Sequence, residues 1–161
     1  MAHVIQKDLR NWFTGSRKVV IAGLGNPIRT DDYVGLKVVE QLKGKLPNTV
    51  LLLEAETVPE SYLSDVEEFE PSHVLIIDAA NLGLKSGQAR LVDVEMTANY
   101  SAITTHLLPL RIFCDYIKQT TGAKIALLLI EPGSMAFGEG LTPKVEAAAQ
   151  RLTKVLAGLL I

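Results

Sequence analysis

The sequence predicts a three-layer α/β domain, a central five-stranded, mostly parallel sheet with helices on both faces. Short apolar, β-branched runs alternate along the chain with segments whose apolar residues recur at helical spacing, the pattern of strands joined by helical crossovers. The strand-like runs are apolar at nearly every position rather than every second one, as a sheet covered on both faces requires. The length of 161 residues suits one domain with a substantial core.

Ile5, Leu9, Trp12 and Phe13 recur at helical spacing before Gly15, which predicts an amphipathic helix over residues 1–16, added ahead of a core of residues 18–161. The run KVVIAGLGN from Lys18 ends in glycines and reads as a buried central strand entering a tight loop. A polar loop over 27–32 leads to a helix over 33–46, with Val34, Leu36, Val38, Val39 and Leu42 apolar and a stop at Gly44 and Pro47. TVLLLEA (49–55) is the second strand, followed by a loop with a short helix after Pro59, and HVLIIDAA (73–80) is the third. ARLVDVEM (89–96) adds a strand expected to be antiparallel. Thr104 or Thr105 is placed to cap a helix reaching about Gln119, with Leu107, Leu110, Phe113, Cys114 and Ile117 on its inner face. KIALLLIEP (124–132) is the fifth strand, and residues 142–160 form the last helix after a glycine-rich loop.

Composition narrows the function. A net charge of -2 gives no electrostatic reason to seek nucleic acid, and no apolar run at the N-terminus resembles a signal peptide or membrane span. A single cysteine, Cys114, excludes an intramolecular disulfide and fits a reducing, cytoplasmic setting. Cys114 falls on the apolar stripe of its helix, which makes it a buried thiol rather than a nucleophile. Gly23-Leu24-Gly25-Asn26-Pro27-Ile28 has Ile28 where a dinucleotide fingerprint needs a small residue, so Rossmann-type cofactor binding is not expected. The oligomeric state is not written in the sequence.

Ligands of open α/β sheets collect beyond the carboxyl ends of the strands. Four of those ends carry carboxylates here: Asp31 and Asp32 after the first strand, Glu54 and Glu56 at the second, Asp78 at the third and Glu131 at the fifth. Asp78 follows four apolar residues, where a carboxylate is costly unless a cation or backbone amides offset it. Of Asp31 and Asp32, one is free to cap helix amides while the other serves chemistry, and spacing alone does not say which. His106 stands at an expected helix N-terminus, where the dipole disfavours imidazolium and leaves a neutral ring competent to bind metal. Two carboxylates and one imidazole make an open three-ligand set suited to nickel, zinc, manganese or iron.

Four segments in order, GLGNPIRTDDYVG (23–35), IIDAA (76–80), TTHLLPL (104–110) and GLTPKVEAA (140–148), resemble the [NiFe]-hydrogenase maturation endopeptidases. TTHLLPL and ETVPES (56–61) look nearest to the branch that processes the large subunit of hydrogenase 3, the formate-hydrogenlyase type. The resemblance implies an aspartyl-type endopeptidase that removes the C-terminal extension of a hydrogenase large-subunit precursor after nickel insertion. It implies that Asp32, Asp78 and His106 are both catalytic and metal-binding residues, leaving Asp31 the structural role. The nickel belongs to the substrate, and the isolated enzyme is expected to hold no metal of its own. Glu56 departs from the pattern, standing where related proteins often have glycine, and the leading helix is an addition.

Two other readings compete. A noncatalytic, nickel-dependent checkpoint binder would use the same three ligands. A peptidyl-tRNA hydrolase shares the opening GLGNP, but TDDYVG lacks the histidine which that chemistry needs after this loop, and the net charge argues against a tRNA ligand.

Overall fold

The computed structural model describes residues 2–94 and 107–161. Its five strands, β1 (Val19–Leu24), β2 (Val50–Glu56), β3 (His73–Ala79), β4 (Ala89–Asp93) and β5 (Lys124–Ile130), form one sheet in the order β2-β1-β3-β5-β4. The first three and β5 run parallel, while β4 pairs antiparallel with β5, Ala89 opposite Ile130. The antiparallel edge strand matches the sequence expectation over 89–93, and residues 95–96 of that expectation lie outside the described residues.

Five helices cover the two faces: α1 (Ala2–Trp12), α2 (Val34–Leu42), α3 (Leu63–Phe69), α4 (Leu107–Thr121) and α5 (Pro143–Leu159). Alternation along the strands sorts the core into two layers. Ile21, Leu75, Ile77, Leu128 and Ile130 pack with α1, α2 and α5. Ala22, Leu24, Ile76, Leu127 and Leu129 pack with α3 and α4. Helix α1 buries Ile5, Leu9 and Trp12 in the first layer, together with Phe13, so the leading segment shares the core rather than trailing from it. In α4, Leu110, Phe113, Cys114 and Ile117 are buried as the stripe predicted, and the Cys114 thiol is enclosed, while the side chain of Leu107, the remaining member of that stripe, lies outside what the structure describes. The expected caps Thr104 and Thr105 lie outside the described residues.

Helix α2 is shorter than residues 33–46 predicted. It is preceded by a 3-10 turn, Thr30–Tyr33, and the chain leaves it at Lys43, whose ψ of 131° is extended, before Gly44 turns with φ +77°. The segment after Pro59 holds a second 3-10 turn, Pro59–Tyr62, leading directly into α3.

Two glycines decide how α2 sits. A Cβ on Gly35 would come 2.2 Å from the Ile77 carbonyl oxygen and 2.5 Å from that of Leu24, and one on Gly23 would meet the Gly35 carbonyl at 2.4 Å. Only backbone without side chains fits there, so the start of α2 rests directly on the ends of β1 and β3. Strand order reverses between β1 and β3, because β2 lies to one side of β1 and β3 to the other. That is the switch point of the sheet, the place at the carboxyl edge where sheets of this kind form their ligand crevice.

Candidate active site at the switch point

Asp32 and Asp78 are brought to this crevice from two directions. Asp32 sits in the 3-10 turn between β1 and α2, 3% exposed, and Asp78 is the penultimate residue of β3, fully buried. Gly35 stands three positions after Asp32 and Ile77 directly before Asp78, so the close approach of Gly35 to Ile77 draws the two segments together. Asp32 Oδ2 accepts the Asn26 amide at 2.9 Å, which closes the loop onto its own carboxylate. Asp78 Oδ1 accepts the amide of Ala79 at 2.9 Å. Strand alternation puts Asp78 on the face it shares with Ile76 and Ala80, the face covered by α4.

Asp31 is structural, though not as a helix cap. Neither the 3-10 turn nor α2 receives a side-chain capping bond. Instead the fully buried Asp31 carboxylate gathers four donors from the far end of the chain. Its Oδ2 accepts the amides of Gly133 at 2.7 Å and Ser134 at 2.9 Å and the Thr142 hydroxyl at 2.7 Å, and its Oδ1 accepts the Thr142 amide at 2.8 Å. The loop between β5 and α5 is thereby fastened beside Asp32. Charge-assisted bonds of this kind are about twice as strong as neutral ones.

His106 lies outside the described residues. Among the described residues no group of three His, Cys, Asp or Glu side chains stands at metal-binding distance. Helix α4 begins at Leu107 and ends at Thr121, close before Lys124 opens β5. Its C-terminus is therefore at the amino edge of the sheet, and its first turn faces the carboxyl edge, where Asp78 lies. His73 is elsewhere, at the opposite end of β3. Its ring is packed edge-on to Trp12 at 5.0 Å, and burial, with Lys124 nearby, lowers its pKa.

The remaining strand-end carboxylates divide between structure and cleft. Glu131 Oε1 accepts the amides of Leu82 at 2.6 Å and Leu84 at 3.1 Å, fixing the loop before β4. Glu54 and Glu56 line an open cleft of about 360 Å³ beside the Asp32 loop, with Pro27, Tyr33, Glu40 and Tyr62. The Tyr33 hydroxyl donates to the Glu40 carboxylate, and burial together with that bond pushes its pKa up to about 12. Three carboxylates line this cleft, and although Lys43 Nζ already pairs with Glu54 Oε2 at 2.6 Å, the remaining negative charge favours a cationic segment over an anionic one. Glu56 adopts φ +52°, the left-handed conformation that glycine takes without strain, and its carbonyl accepts the Gly25 amide at 2.8 Å. Tyr33 and Glu40 were not singled out in the sequence. Their separation by two helical turns, which stacks them on one face, was the available signal.

A family model described as hydrogenase maturation protease matches residues 36–158. A putative hydrogenase maturation protease of Methanocaldococcus jannaschii is 32% identical over 148 residues, covering 87% of this chain and 86% of its own. The hydrogenase 3 maturation protease of Escherichia coli is 27% identical over 139 residues, covering 86% of this chain and 88% of its own. The crystal structure of the [NiFe] hydrogenase maturation protease HycI from Thermococcus kodakarensis superposes with a TM-score of 0.88 at 36% identity, covering 95% of this chain and 98% of that one.

Proposed function

The chain belongs to the hydrogenase maturation protease family, and from that premise we propose that it removes the C-terminal extension of a [NiFe]-hydrogenase large-subunit precursor once nickel has been inserted. The observation that carries this reading is the pair of buried carboxylates, Asp32 and Asp78, at the switch point of the sheet. Two carboxylates withdrawn from water favour a divalent cation strongly, because the cation offsets the desolvation they suffer. The donor set of Asp32, Asp78 and His106 suits nickel and leaves coordination positions open for the substrate's own ligands. The direction of α4 supports His106 as the third member, since the helix that follows it starts at the edge where Asp78 lies.

In this reading the metal arrives with the substrate and marks it as complete. Bound there, nickel polarises the scissile carbonyl or the water that attacks it. The protein's share is to hold and orient. Asp32 is positioned by the Asn26 amide, Asp78 by the rigid end of β3, and the loop fastened to Asp31 walls the crevice. Effective positioning of this sort supplies much of the rate enhancement in reactions between bound groups. The acidic cleft beside Tyr33 lies alongside, ready for a basic stretch of the precursor tail. The hydrogenase 3 type is the proposed partner class, given the relative from Escherichia coli. A cytoplasmic setting fits the single buried thiol of Cys114. Among the described residues no helix is long and apolar enough to cross a membrane. Family membership leaves no support for the peptidyl-tRNA hydrolase reading.

The test is incubation with a hydrogenase large-subunit precursor, with and without nickel, read by intact mass. It is repeated with Asp32→Ala, Asp78→Ala and His106→Ala. Loss of a C-terminal peptide only from the nickel-loaded precursor, abolished by each substitution, is expected. Cleavage indifferent to nickel and to all three substitutions would overturn the proposal, and nickel-dependent binding without cleavage would identify a checkpoint binder instead.

A further inference from the structure

The loop between β5 and α5 presents a large aromatic side chain to solvent: Phe137 is 84% exposed. A mobile loop tip would make this unremarkable, but the tip is fastened at both sides. The Thr30 amide donates to the Gly138 carbonyl at 3.0 Å and the Gly138 amide to the Ile28 carbonyl at 2.9 Å, a short parallel bridge at Arg29. The Thr30 hydroxyl donates to the Ala136 carbonyl at 2.6 Å, Arg29 Nε to the Met135 carbonyl at 3.3 Å, and the Asp31 amide to the Ser134 carbonyl at 3.0 Å. Thr30 adopts φ +48°, a left-handed conformation that a threonine holds only when its surroundings impose it. The Arg29 guanidinium lies over the Phe137 ring, 6.0 Å from its centroid. Ile28, on the other strand of the bridge, is itself 51% exposed. An apolar surface is thus held rigid, and it is held by the residues that immediately precede Asp32.

We infer that Phe137, Ile28 and Arg29 form a platform on which the folded body of the precursor docks, and that this platform helps set which precursor is accepted. The inference rests on the function proposed above. The partner chemistry is an apolar surface side chain, received by Phe137 and Ile28, with a carboxylate beside it for Arg29. Continuity with the catalytic loop argues for the precursor as occupant, since whatever sits on the platform is adjacent to the crevice. A preorganised aromatic anchor contributes more to binding than a flexible one, because less conformational freedom is lost on contact. The platform is built on Ile28 and Arg29 and the acidic cleft is lined by Pro27 and Tyr33, so the two adjoin along one loop.

The experiment measures kcat, KM and the dissociation constant for nickel-loaded precursor, with thermal melting, in the wild type, in Phe137→Ser and in the double variant Ile28→Ser with Phe137→Ser. Val4→Ser, which removes a similarly exposed apolar side chain from α1, is the control. For the double variant KM and the dissociation constant rise about tenfold or more, kcat stays within about twofold, and melting is unchanged. Values within about twofold of wild type, or a loss carried by kcat alone, would overturn the platform while leaving the protease reading intact. If the wild type binds precursor without cutting it, the protease reading fails, and the dissociation constants still decide the platform. A wild type that neither binds nor cuts overturns both.

Discussion

Asp31 and Thr142, 111 positions apart, are joined by two hydrogen bonds, the Thr142 amide and hydroxyl both donating to the one carboxylate. The bond pair ties the start of α5 to the turn that carries Asp32, whose own carboxylate accepts the Asn26 amide. Asp31→Ala is expected to destabilise the fold by about 3 kcal/mol or more, because four donors lose a charged acceptor in a partly buried place. Asp32→Asn keeps the shape of the side chain and is expected to cost much less stability while abolishing cleavage. Chemical denaturation of both variants beside the cleavage assay checks the contrast. Equal losses of stability would show that the division of roles is wrong.

Gly35→Ala places a methyl group into the Ile77 and Leu24 carbonyls, neither of which is the end of a flexible side chain. A loss above about 3 kcal/mol is expected, with failure to fold as the extreme. Gly44→Ala meets no atom within 4 Å and suffers only from its φ of +77°, so a loss of about 1 kcal/mol is expected there. Urea titration of the two variants gives the comparison.

Glu56→Gly relieves a left-handed backbone conformation and is expected to stabilise the protein by about 1 kcal/mol. It also removes one carboxylate from the cleft beside Tyr33. If that cleft receives a basic tail, KM for the precursor rises in this variant although the protein is more stable. A fall in melting temperature would show that the Glu56 side chain contributes more than its backbone costs.

His73 titrates below the usual histidine range when folded, chiefly because it is buried and secondarily because Lys124 and Arg17 repel the imidazolium. Below the unfolded pKa the unfolded chain takes up a proton that the folded chain refuses, so stability falls as pH drops from 6.5 toward the lowered folded value. His73→Gln is expected to flatten this acid-side decline. Denaturation curves at pH 7.5 and about 5.5 measure it, and an undiminished slope in the variant would place the titration elsewhere.

Much of this architecture was legible because burial on both faces forces strands such as 19–24 to be apolar throughout, and the crossovers between them to keep helical periodicity. That Asp32 and Asp78 stand at strand ends followed from the same logic, since strand ends gather at one edge, whereas the choice of Asp32 over Asp31 rested on the family resemblance. Asp31 was read as a structural residue, but its partners were not found, because capping rules look only a few positions along the chain and Gly133, Ser134 and Thr142 lie over a hundred away. Glu131 was counted with the strand-end carboxylates, and its bonds to Leu82 and Leu84 depend on a loop path that no local pattern specifies. The cleft at Tyr33 and Glu40 needed β2 to be set beside α2, a matter of sheet order rather than periodicity.

The contact of Gly35 with Ile77 is made by main chain alone. The gauge between the two carboxylates is therefore written in peptide geometry, which every residue shares, and not in the rotamers of any large side chain. An exchange of one aliphatic shape for another at Val38, Ile21 or Leu128 changes the packing of the layer but leaves that main-chain contact itself in place. What this spot demands is an absence, the missing methyl groups of two glycines.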